Sequence, residues 1–179
     1  DEKPLVAVNW TEEDPFLSAV WNQQWNQIWF PEEFAVSKDK KVFNKFAFRQ
    51  TFARVLGGLT LLDTLQTNVG MNLLSNAVRN NIAKALYSVF GAFEAIHAKS
   101  YSYIFTTLLT QREIDDVFEW VEKNEYLQTK GHIIEQIYKD VNPLDTVSIY
   151  KSHVASVFLE SFLFYSGFFY PLFLGGQGI

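Results

Sequence analysis

The chain contains no cysteine. That excludes a disulfide framework, a thiolate nucleophile and a thiolate metal site, and it agrees with a cytosolic location. Basic clusters are also scarce. With a formal net charge of -5 and an isoelectric point near 5.2, the one lysine-rich run, Lys38-Asp39-Lys40-Lys41, reads as a solvated loop. Nucleic acid, which would call for a basic stripe, is not expected as a partner. The start, Asp1-Glu2-Lys3-Pro4, is charged and no apolar segment follows it, so it does not resemble a signal peptide. Neither strand-like alternation nor an internal repeat occurs, which leaves an all-α class. What the chain has in quantity is apolar surface. Hydrophobic residues make up 48% and aromatic residues 17% of 179 positions, with 17 Phe and 5 Trp. Such a chain is one domain with a large, aromatic-rich core.

Taken in order, residues 1–10 read as an extended lead-in, and Thr11-Glu12-Glu13-Asp14 with Pro15 as a helix start. Trp21, Trp25 and Trp29 recur every fourth residue, a spacing that by itself describes a packing stripe on a helix ending at Phe30-Pro31. Residues 31–44 form a charged connection. From Phe46 to about Val69, Phe48, Phe52, Val55, Leu59, Leu62, Leu65 and Gln66 trace a broad apolar helical face. Gly70 is expected to close that helix, and residues 72–80, rich in Asn, to form a turn region. Thr110-Gln-Arg-Glu113 is a capping-box sequence that starts a helix through about Lys123. Another helix covers about Leu127 to Tyr138, with His132 on its surface. Asn142-Pro143 opens the last helix, from about Leu144 toward Phe169. Its portion Val154–Leu174 has 21 residues and a single charge, Glu160, long enough to span a bilayer. A buried bundle helix is the preferred reading, because Ser152, Ser156, Ser161, Ser166 and Gly167 give it a small-residue side.

The most informative stretch is Glu94-Ala-Ile-His97-Ala-Lys-Ser-Tyr101. At about 100° per residue, Glu94 and His97 lie about 60° apart and Tyr101 returns to within about 20° of Glu94. A carboxylate, an imidazole and a phenol thus share one helix face. Glu-x-x-His is how helical bundles present two ligands to a transition metal, and this donor pair suits iron or manganese. The motif alone equally describes a solvated face with a chance histidine. Its setting is apolar, however, between Val89-Phe90-Gly91-Ala92-Phe93 and Ile104-Phe105. Asp63 is the only charge between Arg54 and Arg79, and Glu160 is alone in its own segment, in register with Phe164 and Phe168 at i+4 and i+8. Three unpaired carboxylates buried in helices would be costly, whereas divalent cations between them turn repulsion into ligation.

Gly58-Leu-Thr-Leu-Leu-Asp63-Thr-Leu-Gln66, Glu94-Ala-Ile-His97-Ala-Lys-Ser-Tyr101-Ser and Val157-Phe-Leu-Glu160-Ser-Phe-Leu-Phe-Tyr-Ser-Gly-Phe168 resemble the radical-generating small subunit of class Ib ribonucleotide reductase. Asn9-Trp10 and Trp29-Phe-Pro-Glu-Glu extend the similarity over nearly the whole chain. The resemblance implies a ferritin-like helical bundle with a dinuclear manganese or iron site. Asp63, Glu94 and His97 would serve one metal and Glu160 the other, with Glu94 as the candidate bridge. Tyr101 would carry the stored radical, Trp29 would start the electron route to the large subunit, and Phe164 and Phe168 would wall the radical from water. It further implies a homodimer, a large catalytic subunit as partner, a flavodoxin-like activator for the manganese form, and neither nucleic acid nor membrane as partner.

One departure accompanies the match. The family's second Glu-x-x-His and its C-terminal docking tail have no counterpart before Gly175-Gly-Gln-Gly-Ile179. A fragment of a longer protein is the expectation, with a truncated relative as the alternative. Two other readings of the acids remain: a ferritin-like di-metal oxidase or oxygenase without a stored radical, and a helical interaction or membrane-associated protein in which they are incidental.

Overall fold

The computed structural model describes residues 4–10 and 14–178. Thr11, Glu12 and Glu13 of the expected helix start, and residues 1–3, lie outside them. Every regular element among the described residues is helical.

Helix α1 (Pro15–Asn26) begins where Asp14 accepts hydrogen bonds from the backbone N–H of Phe16 at 2.9 Å and Leu17 at 3.1 Å, with Pro15 in the first position. This satisfies two of the free N–H groups that every helix start leaves. The helix ends at Asn26 rather than at Phe30. Phe30 precedes a proline and is extended (φ -126°, ψ 147°), the conformation that the proline ring imposes on its neighbour. Trp29 therefore leaves the Trp21–Trp25 stripe. The connection that follows has two 3-10 turns, Pro31–Glu33 and Val36–Asp39, and the short α2 (Lys40–Phe43).

Helix α3 (Arg49–Leu65) does not stop at Gly70. It passes through a π-helical turn, Gln66–Gly70, directly into α4 (Met71–Ala77), and Gly70 is itself helical (φ -58°, ψ -60°). The expected Asn-rich turn shrinks to residues 78–80. Met71, Leu74 and Ala77 are buried where α4 packs on α5 (Asn81–Leu108), and that burial outweighs the local turn preference of the asparagines. At about 1.5 Å per residue, the 28 residues of α5 extend about 42 Å.

Helix α6 (Gln111–Lys123) carries the expected Thr110/Glu113 capping box. In α7 (Glu125–Lys139), His132 is on the surface beside Glu135. The last helix is continuous from α8 (Thr146–Phe158) through a second π-helical turn (Leu159–Leu163) into α9 (Phe164–Gly176). Helix α3 lies at the centre, against α5, α6, α7 and α9. Its Ala53, Leu56, Leu59 and Leu62 join Phe105, Val117, Tyr138 and Leu159 in the core. Helix α9 comes close because residue 167 is glycine: a Cβ there would sit 2.5 Å from Leu59 Cδ2. A second tie joins α5 to α8. The Tyr87 hydroxyl meets Nε2 of His153, whose Nδ1 lies 2.7 Å from the Ile149 carbonyl.

The α8–α9 helix is less buried than the sequence suggests. Ser152, Ala155, Leu159, Phe164 and Leu174 face inward, but Phe158, Phe162, Phe169 and Leu172 are more than half exposed. Among the described residues it is the one helix long and apolar enough to cross a membrane, by length and composition only. Helices α3 and α7 cover one side of it.

Candidate metal centre

The packing of α3 on α5 brings the last turn of α3 beside the middle of α5. One ligand-type atom from each of Asp63, Glu94 and His97 falls within 4.8 Å of the other two. His97 Nδ1 and Glu94 Oε2 are 3.0 Å apart, so the i, i+3 spacing does aim both groups at one point. Asp63 is 1% exposed, and neither of its carboxylate oxygens has a hydrogen-bond partner. Glu94 lies beside it, but a carboxylate only accepts and so offers Asp63 nothing unless a proton sits between them. Burial, then the Glu94 charge, push the Asp63 pKa up to about 9. His97 moves in the opposite chemical sense: its bond to Glu94 favours the protonated ring and raises its pKa against the effect of burial.

A buried carboxylate with two orphaned oxygens costs several kcal/mol unless it is protonated or meets a cation. The set of two carboxylates and an imidazole is one that iron and manganese accept. The residues therefore fit a divalent transition metal.

Glu160 lies outside that trio of atoms and projects from the second π-helical turn. It is near enough for its charge to raise the pKa of Asp63 and, with that of Glu94, the pKa of the His97 imidazole. Solvent reaches one side of Glu160, while on the other its carboxyl is crowded by protein and accepts from the Gln66 amide. Crowding and the Glu94 charge push its pKa up to about 7, with the Gln66 bond opposing. Both π-helical turns thus flank the acids, one directly after Asp63 and one around Glu160. Such turns shift a helix face by one residue and recur at functional sites.

Tyr101 is half-buried and packs against the core. Burial, followed by the charges of Asp63, Glu94 and Glu160, drives its pKa above the usual phenol range, so the phenol stays protonated. Trp29 has its indole stacked on the His97 ring and edge-on to Phe34 at 5.6 Å. Phe164 is buried, and Phe168 stacks on it with centroids 5.5 Å apart. Both belong to the apolar cluster that also takes in Tyr101.

Two polar residues of this region had no functional role in the sequence reading, which placed Gln66 only on its helix's apolar face and in the Gly58–Gln66 motif. Gln66, 1% exposed, follows Asp63 by one turn, a spacing that could have flagged it. Tyr138, with no exposed surface, hydrogen-bonds Gln66 from 72 residues away. Nothing local in the sequence marks it.

Long helices packed around the buried Asp63 and the half-buried Glu94 and His97 define a ferritin-like metal-carboxylate bundle. The comparisons narrow this. The family model "Ribonucleotide reductase, small chain" matches residues 7–179. Ribonucleoside-diphosphate reductase subunit beta of Bacillus phage SPbeta is 46% identical over 176 residues, covering 96% of this chain and 54% of that protein. The reductase 2 subunit beta of Escherichia coli is 40% identical over 178 residues, covering 97% and 54%. Among solved structures, the dimanganese(II)-NrdF of Streptococcus sanguinis superposes with a TM-score of 0.88 at 40% identity, covering 98% of this chain and 61% of that one. The R2 subunit of Clostridium botulinum gives 0.87 at 26% identity, covering 96% and 55%. The chain belongs to the ribonucleotide reductase small-chain family, in its class Ib branch. It spans about half the length of the curated relatives it matches.

Proposed function

We propose that this chain is the metal-carrying part of a ribonucleoside-diphosphate reductase small subunit, which generates and stores a tyrosyl radical for a large subunit that reduces ribonucleotides to deoxyribonucleotides. The observation that carries this reading is Asp63: a buried carboxylate with both oxygens unpartnered, beside Glu94 and His97, in a chain of this family. Asp63, Glu94 and His97 would hold one metal and Glu160 the other. The metal pair, manganese or iron, supplies the one-electron oxidising power.

The chain's own residues do the rest. Tyr101 lies one helical turn beyond His97, and its proton is held in an apolar setting that favours the neutral phenol. Its oxidation would give one electron to the metal pair and the phenol proton to the adjoining carboxylate cluster, whose charges reach Tyr101, because a phenol radical cation would be unsupported there. Phe164 and Phe168 exclude water and reductants from the radical's side of the cluster. Trp29, stacked on His97, is the aromatic group through which an electron from the large subunit would reach the radical, so that the oxidising equivalent passes the other way. The protein works as a homodimer in the cytosol, with a flavodoxin-like protein activating the manganese form.

The test is metal loading of the complete protein. Two manganese or two iron ions per subunit are expected, with a tyrosyl signal in electron paramagnetic resonance after activation. Two metals with no tyrosyl signal at any stage would support a di-metal oxidase or oxygenase instead, and no bound metal would defeat the reading.

A further inference from the structure

Tyr138 is the most deeply buried polar side chain near the site and has no place in the chemistry above. Its hydroxyl bonds Gln66 Oε1, and Gln66 Nε2 bonds both Glu160 Oε1 and, at 3.2 Å, Ser156 Oγ. The direction of this chain is set from its far end. An ionised carboxylate only accepts, so the amide must turn its NH2 toward Glu160 and its oxygen toward α7, where only a donor can satisfy it. Tyr138 is that donor. Both N–H groups and the carbonyl of Gln66 are then used, and the amide has no second orientation of equal energy.

The backbone accommodates this arrangement. Gly70 ends the first π-helical turn, and a Cβ there would lie 2.7 Å from Gln66 Oε1 and 2.7 Å from Tyr138 Cε2. Its missing side chain leaves the space in which phenol and amide meet. Glu160 belongs to the second π-helical turn, where the helical hydrogen bonding is irregular, and its carboxyl is half-open to solvent. Without an external hold it would sample several rotamers.

We propose that Tyr138 is a positioning residue: acting through Gln66, it holds the Glu160 carboxylate in one orientation and thereby sets the affinity of the metal that Glu160 serves. This rests on the reading of Glu160 as a metal ligand. Partners of a ligand, when removed, typically cost about 10- to 100-fold in metal affinity.

The experiment uses the complete protein free of metal, titrated with Mn(II), free Mn(II) being counted by electron paramagnetic resonance. Wild type is compared with Tyr138→Phe, Gln66→Met and the double variant. Thermal melting of the metal-free forms reports folding. The expected result is two ions per subunit in all forms, with one of the two bound about tenfold more weakly in each single variant and the other unchanged. The double variant should be no weaker than Gln66→Met, because Tyr138 acts only through that amide. Wild-type affinity at both ions in Tyr138→Phe, equal weakening of both ions, or additive losses in the double variant would each overturn the proposal. If a variant fails to fold, Ser156→Ala removes a hydroxyl that partners both the Gln66 amide and the Tyr138 phenol and should weaken the same ion by a smaller factor; no change there counts against the proposal. Wild type that binds no ion pair defeats the functional reading itself, before any variant is compared.

Discussion

Trp29 and His97 stack face to face, ring centroids 5.7 Å apart and planes inclined by 22°. The contact exists because α1 ends at Asn26 and the pre-proline geometry of Phe30 swings the chain back over α5. This stacking accommodates both plain packing and the electron-transfer role proposed for Trp29. Trp29→Phe separates the two. Lost packing should cost on the order of 1 kcal/mol, a fall in Tm of about 2–4 °C for a chain of this size. Radical formation in the complete protein should persist while nucleotide reduction drops steeply. Reduction at the wild-type rate would leave Trp29 a packing residue.

Asp63 makes stability of the metal-free protein depend on pH. Its pKa rises from 3.8 to about 9 on folding, and that of Glu160 from 4.5 to about 7. The folded state therefore binds more protons than the unfolded one between these limits, and stability must fall as pH rises. The contribution of Asp63 is complete below about pH 3.8 and is lost progressively up to about pH 9. One group gives at most about 1.4 kcal/mol per pH unit. Asp63→Asn should flatten the slope of Tm between pH 6 and pH 8 relative to wild type, within the order of magnitude set by that limit. A steeper slope in the Asn variant would contradict the assignment of Asp63 as the strained acid.

Asp63→Asn should also abolish tight metal binding while leaving the metal-free fold intact or more stable at neutral pH, since it replaces a buried acid with a neutral isostere. Equilibrium dialysis with Mn(II) and a melting curve measure the two effects together. Unchanged metal content would remove Asp63 from the site.

Tyr101→Phe removes one hydroxyl and little volume, so fold and metal content should survive. The wild-type tyrosyl signal should not. A Phe variant that keeps the signal would move the radical to another phenol, with Tyr103 and Tyr165 the first to examine.

Gly167→Ala tests the closeness of α9 to α3. The new methyl would start 2.5 Å from Leu59 Cδ2, and overpacking of this kind costs about 1–3 kcal/mol. A drop in Tm of roughly 2–12 °C is expected. An unchanged Tm would mean that the helices separate without penalty.

Much of this protein is decided by local sequence. Helical periodicity, caps such as Asp14 and Thr110, and the i, i+3 geometry of Glu94 and His97 depend on residues within a turn or two of each other, so pattern alone locates α5, α6, α7 and the face that carries the cluster. The tertiary structure decides what depends on distant partners. Met71–Ala77 is helical because α5 buries it, against the preference of its asparagines. Pro31 takes Trp29 out of its helix locally, but only the packing on α5 decides that the indole lands on His97. The aromatic outward face of α8–α9, with Phe158, Phe162, Phe169 and Leu172, is exposed because burial is a property of neighbours and not of composition. Tyr138 and Gln66 are joined across 72 positions, and a hydrogen bond between residues that far apart leaves no periodicity in the chain. Only the packing of α7 against the turn after α3 brings them together.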